Sequence, residues 1–108
     1  MNNKDIYKEW LQCAKKLAIF PESKAQCPEC KKGNLHVFDI LLEDDPVVFE
    51  RFLCCKVCES HNSMRMHGID NYREYQEPLS EFELILVKEI KRTNAFASRA
   101  IKKVANPF

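Results

Sequence analysis

Between residues 1 and 20, apolar side chains return at helical intervals: Ile6, Trp10, Cys13, Ala14 and Leu17 share one side, while Lys4, Lys8, Glu9, Lys15 and Lys16 occupy the rest. This pattern predicts an amphipathic helix that ends near Phe20-Pro21, where proline removes a backbone donor. Residues 21–26 show no period and read as a linker. The pattern then changes. Leu35 to Leu42 and Val47 to Leu53 are rich in β-branched, aromatic and aliphatic residues, and Glu43-Asp44-Asp45-Pro46 between them has turn chemistry, so a β-hairpin is expected. Asn62 to Gly68 alternates polar with apolar, which predicts a third strand with Met64 and Met66 on its buried side.

Ser80-Glu81-Phe82-Glu83 follows Pro78 and has the form of a capping box. The Ser80 hydroxyl is expected to accept the Glu83 amide proton, and the Glu83 carboxylate to reach back. A helix should start there and bury a stripe of Phe82, Ile85, Leu86 and Ile90, continued by Ala97, Ala100, Ile101 and Val104. Thr93-Asn94 leaves open whether this is one helix or two. The reading is therefore an α+β chain in a single domain, 1–108. It has an N-terminal helix (1–20), a three-stranded antiparallel ribbon (25–70) and a C-terminal helical segment (80–105) of one or two helices.

Composition narrows the chemistry. Seventeen Lys and Arg stand against sixteen Asp and Glu, a formal net charge of +1, so any electrostatic recognition must come from local patches. No stretch has the length and apolarity of a signal peptide or membrane span, which predicts a soluble, cytosolic chain without membrane partners. In a reducing compartment, six clustered cysteines point to metal binding or redox work ahead of disulfides.

Four of the six form two matched loops, Cys27-Pro28-Glu29-Cys30 and Cys55-Lys56-Val57-Cys58. Each Cys-x-x-Cys loop bends tightly enough to offer both sulfurs to one ion, and four soft thiolates at tetrahedral corners suit Zn²⁺. The 24 residues between Cys30 and Cys55 accommodate two strands and a turn, so the hairpin can return the second loop to the first. Gly33 is expected to take a positive φ where the first loop turns into its strand. One structural zinc on Cys27, Cys30, Cys55 and Cys58 is the resulting expectation. Cys54 could replace Cys55 in a three-residue loop, and Cys55 is preferred; Cys54 then ends the second strand as a small buried hydrophobe, with Cys13 buried likewise on the first helix. His61 is read as a surface residue, and His36 and His67 as ordinary strand residues. A thiol oxidoreductase would need a helix after Cys27-Pro28-Glu29-Cys30, and Lys31-Lys32-Gly33-Asn34 leads into a strand instead.

The run Cys-Pro-Glu-Cys-Lys-Lys-Gly-Asn-Leu, the β-rich stretch, and Glu-Arg-Phe-Leu-Cys-Cys-Lys-Val-Cys with Asn62 beyond it resemble the zinc ribbon over residues 25–70, less than half the chain. That resemblance implies a structural metal and nothing catalytic; the doubled Cys54-Cys55 departs from the usual single cysteine. With its flanking helices the chain also resembles small bacterial zinc-ribbon proteins, some of which serve as antitoxin or immunity partners. A four-thiolate site leaves no coordination position for water or substrate, and the sequence shows no catalytic triad order or phosphate loop, so a non-enzymatic protein is expected. The first functional expectation is a protein-binding module. Glu43, Asp44 and Asp45 would suit a basic partner such as a toxin that handles nucleic acid. The alternative is nucleic-acid binding through the ribbon and the basic residues Lys88, Lys91, Arg92, Arg99, Lys102 and Lys103.

Overall fold

The computed structural model describes the backbone of residues 3–73 and 78–105 and the side chains of 5–73 and 78–94. The chain divides into two compact units, Met1–Glu77 and Pro78–Phe108. The first contains α1 (Asn3–Ile19), β1 (His36–Asp44), β2 (Val47–Cys54), β3 (His61–His67) and a short 3-10 turn, Ile69–Asn71. The second contains α2 (Glu81–Ala105). The α+β class and the three-stranded antiparallel sheet expected from the sequence are both present.

Helix α1 forms where the apolar stripe predicts it. Trp10 and Leu17 are buried in a cluster with Ala25, Cys27, Leu35, Leu53 and Cys55, and Ile6 and Cys13 pack against its edge. Its polar side is also engaged. Trp10 Nε1 donates to Glu29 Oε1 at 3.0 Å, Lys16 Nζ donates to Lys24 O at 2.7 Å, and Lys31 pairs with Glu9. These three contacts tie the helix to the loop carrying the first cysteine pair. The helix closes with Phe20 N–H on Lys16 O at 2.8 Å, just before Pro21.

The sheet order is β1-β2-β3, with β2 in the centre. The β1–β2 hairpin is tighter than its turn residues suggest. Glu43 and Asp44 remain paired with Val48 and Val47, and an irregularity between Leu41 and Glu43 absorbs the register shift, so Asp45 and Pro46 alone make the connection. Pairing with two valines keeps the acidic pair extended. Because side chains alternate along a strand, Leu53, Arg51 and Phe49 lie on the side of the α1 cluster with Val37, while Phe38, Ile40, Phe52 and Cys54 are buried on the other side. On that second face the Phe38 and Phe52 rings stack at 5.1 Å. Met64 and Met66 are the half-buried positions of β3, as the alternation predicts.

A fully buried ion pair lies within this sheet. Arg51 Nε and Nη2 donate to the two oxygens of Asp39 at 2.7 and 2.8 Å. Nη1 donates to the Leu17 and Ala18 carbonyls at 2.9 and 3.1 Å, and Nη2 also to Asn71 O at 2.5 Å. All five N–H groups of a guanidinium therefore have acceptors. Asp39 Oδ2 accepts the Arg73 amide at 2.9 Å as well. One side chain thus joins β1, β2, the negative end of the α1 dipole and the turn after β3. On the opposite face Glu50 accepts from Ser63 Oγ at 2.8 Å and Arg65 Nε at 3.0 Å, linking β2 to β3.

Helix α2 begins at a partial capping box. Glu83 Oε1 accepts from both Ser80 N–H, at 2.8 Å, and Ser80 Oγ, at 3.0 Å, so the hydroxyl donates to the carboxylate. Glu83, folded back over its own cap, is buried. The buried stripe is rotated from the expected one: Phe82, Leu86, Val87 and Ile90 are buried or half-buried, and Ile85 is 60% exposed. Thr93-Asn94 does not interrupt the helix. The side chains of Ala97, Ala100, Ile101 and Val104 lie outside the described residues.

The buried pair makes a testable demand. Arg51→Met leaves the Asp39 charge buried without its partner and is expected to lower unfolding free energy by about 3–5 kcal/mol, whereas Arg51→Met with Asp39→Leu should recover most of the loss. Urea denaturation of the metal-loaded protein measures both variants.

Candidate metal centre

The two cysteine loops have the same local construction. In the first, Lys31 N–H donates to Cys27 O at 3.0 Å and Cys27 N–H donates to Gly33 O at 2.8 Å. In the second, Glu59 N–H donates to Cys55 O and Cys55 N–H donates to Ser60 O, both at 2.9 Å. The residue after each loop's second cysteine carries the left-handed backbone that reverses the chain, with φ of 60° at Lys31 and 63° at Glu59. A sharp turn with its carbonyl satisfied presents both sulfurs on one side.

Gly33 does not have the positive φ expected of it; Lys31 does. Glycine suits the position for a different reason. A Cβ on Gly33 would stand 2.8 Å from Val57 Cγ2 and 3.6 Å from Cys55 Sγ, so the bare backbone lets the first loop lie against the second.

With the loops in contact, Cys27, Cys30, Cys55 and Cys58 place their Sγ atoms all within 4.8 Å of one another. Cys27 Sγ is 3.7 Å from Cys58 Sγ, and Cys30 Sγ is 3.6 Å from Cys55 Sγ. A disulfide would need about 2.05 Å, so these are four separate thiols. Four metal–sulfur bonds of about 2.3 Å at tetrahedral angles separate the sulfurs by roughly 3.8 Å, close to the spacing found. The donor set therefore fits a metal ion. Cys27 and Cys55 are buried, Cys30 is half-buried and Cys58 is exposed.

Neighbouring groups distinguish the four thiols. Burial pushes Cys27 up to about 12. Cys58, beside the Ser60 hydroxyl at 3.2 Å and the Ser60 backbone, is held down at about 6. Cys58 therefore gives up its proton more readily than Cys27, whose proton a bound cation would have to displace. Lys32 N–H donates to Cys30 Sγ at 3.4 Å, a second bond directed at sulfur charge.

The remaining candidates lie outside the cluster. Cys54 is the last residue of β2 and fully buried, so Cys55 is the member of the doubled pair that joins the group. Cys13 is half-buried, its thiol donating to Gln26 O at 3.9 Å, and burial raises its pKa. His61 is exposed with Nδ1 3.4 Å from Glu59 O, while His36 begins β1 and His67 ends β3. Residues 31–34 form a bend that leads into β1, and no helix follows the first loop. Sequence reasoning overlooked Ser60 and the Lys32 amide, which bond to the sulfurs: a serine two residues past a cysteine and a backbone N–H carry no distinguishing signal.

Among the described residues no helix is long and apolar enough to cross a membrane. Comparison with known protein families, curated proteins and solved structures finds no match.

Ser60→Ala removes a hydrogen bond that favours the Cys58 thiolate over the thiol. Protons should then compete better, so metal release on acidification shifts to higher pH, with affinity at neutral pH lowered by roughly tenfold. Titration against a chromogenic chelator across the acid range reads both effects. Cys58→Ser should lose stoichiometric metal, and Cys54→Ala and Cys13→Ala should keep it, as measured by elemental analysis of the purified chains.

Proposed function

We propose that this chain is a non-enzymatic protein organised around one structural zinc ion in a zinc-ribbon arrangement, and that it acts as a protein-binding module. The observation that carries the proposal is the convergence of four cysteine sulfurs with no other donor type among them. A filled d shell lets zinc accept four thiolates at tetrahedral corners, and softer or redox-active ions are less suited to a resident structural role in a reducing compartment. Four protein ligands leave no vacancy for water or substrate. The metal then serves as a scaffold, contributing roughly 10–16 kcal/mol of apparent binding free energy to folding.

The binding role draws support from apolar side chains that the first unit leaves in solvent. Tyr7 and Leu11, one turn apart on α1, are 65% and 41% exposed, and Ile19 and Phe20 at its end are 70% and 62% exposed. Single exposed apolar residues are ordinary, but a row of them one step around from a buried stripe is a surface suited to a partner. At the β1–β2 tip Glu43, Asp44 and Asp45 are exposed and add a negative rim that favours a basic partner. Nucleic-acid binding ranks second. Exposed Lys88, Lys91 and Arg92 on α2 supply charge alone, and Arg92 already lies 4.0 Å from Glu89.

Capture from cell extract on the immobilised zinc-loaded chain tests this reading. A specific protein should be retained by the wild type and lost from a Tyr7→Glu, Leu11→Glu variant that keeps its zinc. Mixed DNA and RNA should not be retained at low salt. Retention of nucleic acid that falls steeply with ionic strength, or protein capture unaffected by the double change, would overturn the assignment.

A further inference from the structure

All six cysteines lie among the described residues, and of these Cys58 alone is exposed. Cys27, Cys54 and Cys55 are buried, and Cys13 and Cys30 are half-buried. A small oxidant arriving from solvent therefore meets the sulfur of Cys58 first. Behind it stands Cys27 Sγ at 3.7 Å, carried by the other loop. That separation exceeds a disulfide bond of about 2.05 Å by roughly 1.7 Å, a small displacement for two side chains. Cys30 Sγ and Cys55 Sγ, 3.6 Å apart, likewise come one from each loop.

We propose that Cys58 is an oxidant-reactive modification site and that Cys27 resolves it, so that hydrogen peroxide replaces the metal tie between the two loops with a covalent one. The proposal rests on the zinc reading of the cluster and names a means of regulating it. The Cys58 thiolate attacks one peroxide oxygen and the O–O bond breaks. That oxygen stays on sulfur as a sulfenic acid, and the other leaves as hydroxide, which takes a proton from solvent. The Cys27 thiolate then attacks the Cys58 sulfur, an S–S bond replaces the S–O bond, and the second oxygen also departs as hydroxide. The two sulfurs have given two electrons to peroxide, which ends as water.

Disulfide sulfurs lack the charge that makes a thiolate a ligand, so Cys30 and Cys55 are left as half a donor set, too few to retain zinc. The loops nevertheless stay together. The new bond spans them across the whole hairpin, and a cross-link over that stretch of chain restrains the unfolded state. The backbone bonds that shape each loop, Lys31 N–H to Cys27 O and Glu59 N–H to Cys55 O, involve no sulfur and can persist. A second thiol in contact with Cys58 also intercepts the sulfenic acid before it reaches the irreversible sulfinic stage.

The test uses the full zinc-loaded chain, limiting hydrogen peroxide and a chromogenic chelator, with a peroxide-free control. Zinc should appear mole for mole with peroxide consumed. Mass spectrometry after alkylation of the remaining thiols should find Cys27 joined to Cys58, with Cys13 and Cys54 alkylated. Far-ultraviolet circular dichroism should keep its sheet signal, and dithiothreitol should restore zinc binding. Cys58→His offers a fourth donor without the thiol and should slow release about tenfold, while Cys13→Ala and Cys54→Ala should release as the wild type does. The proposal is overturned if the first disulfide lies within one loop or includes Cys13 or Cys54, if Cys58 ends as a sulfinic acid, if the sheet signal is lost with the zinc, or if Cys58→His releases zinc at the wild-type rate. Should Cys58→His fail to hold zinc, the disulfide map of the wild type decides alone. A chain that binds no zinc would overturn the zinc reading as well, whereas zinc released without a Cys27–Cys58 bond overturns this proposal and leaves that reading in place.

Discussion

Two loops separated by a whole hairpin must bring four sulfurs to within 4.8 Å, and the first unit is organised around that convergence. Four thiolates packed at this spacing repel one another strongly, and a divalent ion on them still leaves the centre with two net negative charges. The loops answer locally. The Lys32 amide donates to Cys30 Sγ, and the Cys58 thiol, which donates to Ser60 Oγ at 3.2 Å, has in that hydroxyl and the Ser60 backbone neighbours that favour its charged form. The left-handed residues Lys31 and Glu59 are the conformational cost of aiming both cysteines of a loop the same way, roughly 1 kcal/mol or more apiece. That cost is small beside the free energy of binding an ion.

The buried Arg51–Asp39 pair acts differently. Desolvating two charges offsets most of their attraction, so such a pair contributes little net stability, although removing one member is costly. Its effect is on position. Arg51 accepts only an arrangement in which Asp39, the α1 terminus and Asn71 all lie within reach, and a displaced helix would leave a donor without an acceptor. Helix α1 is therefore held at two places by different means. Trp10 and Glu9 engage the first cysteine loop near its middle, and Arg51 grips the Leu17 and Ala18 carbonyls near its end. With only a small apolar cluster between helix and sheet, directional bonds replace bulk in fixing the packing.

Features decided by neighbours in sequence were legible beforehand. The helix stripe of Ile6, Trp10, Cys13 and Leu17, the hairpin, the half-buried Met64 and Met66 and the paired loops all follow from local period and spacing. Features decided by distant partners were not. Asp39 and Arg51 stand at inward positions of their strands, between Val37 and Leu41 and between Phe49 and Leu53, and that parity was the available signal. Only the register places them opposite each other. Gly33 was noticed for the right position with the wrong cause, because a close approach to Val57 depends on where the second loop returns. On α2, Val87 and not Ile85 is buried, since a stripe one residue wide at its edges can rotate without changing its period.

Lys56 links the cysteine cluster to a cleft beside β1 and the turn 21–24. It sits inside the second cysteine loop, between Cys55 and Cys58, and also lines the cleft beside β1. On the first loop's side, Ala25 next to the cleft's turn accepts the Leu35 amide, while Cys27 two residues later accepts and donates across its own loop. Both walls of the cleft are thus continuous with segments whose conformation depends on converging sulfurs. Four thiols this close would be free to separate without an ion between them, and the second loop cannot move without carrying Lys56 with it. An ion on the four sulfurs would therefore fix the shape of this cleft together with that of the two loops.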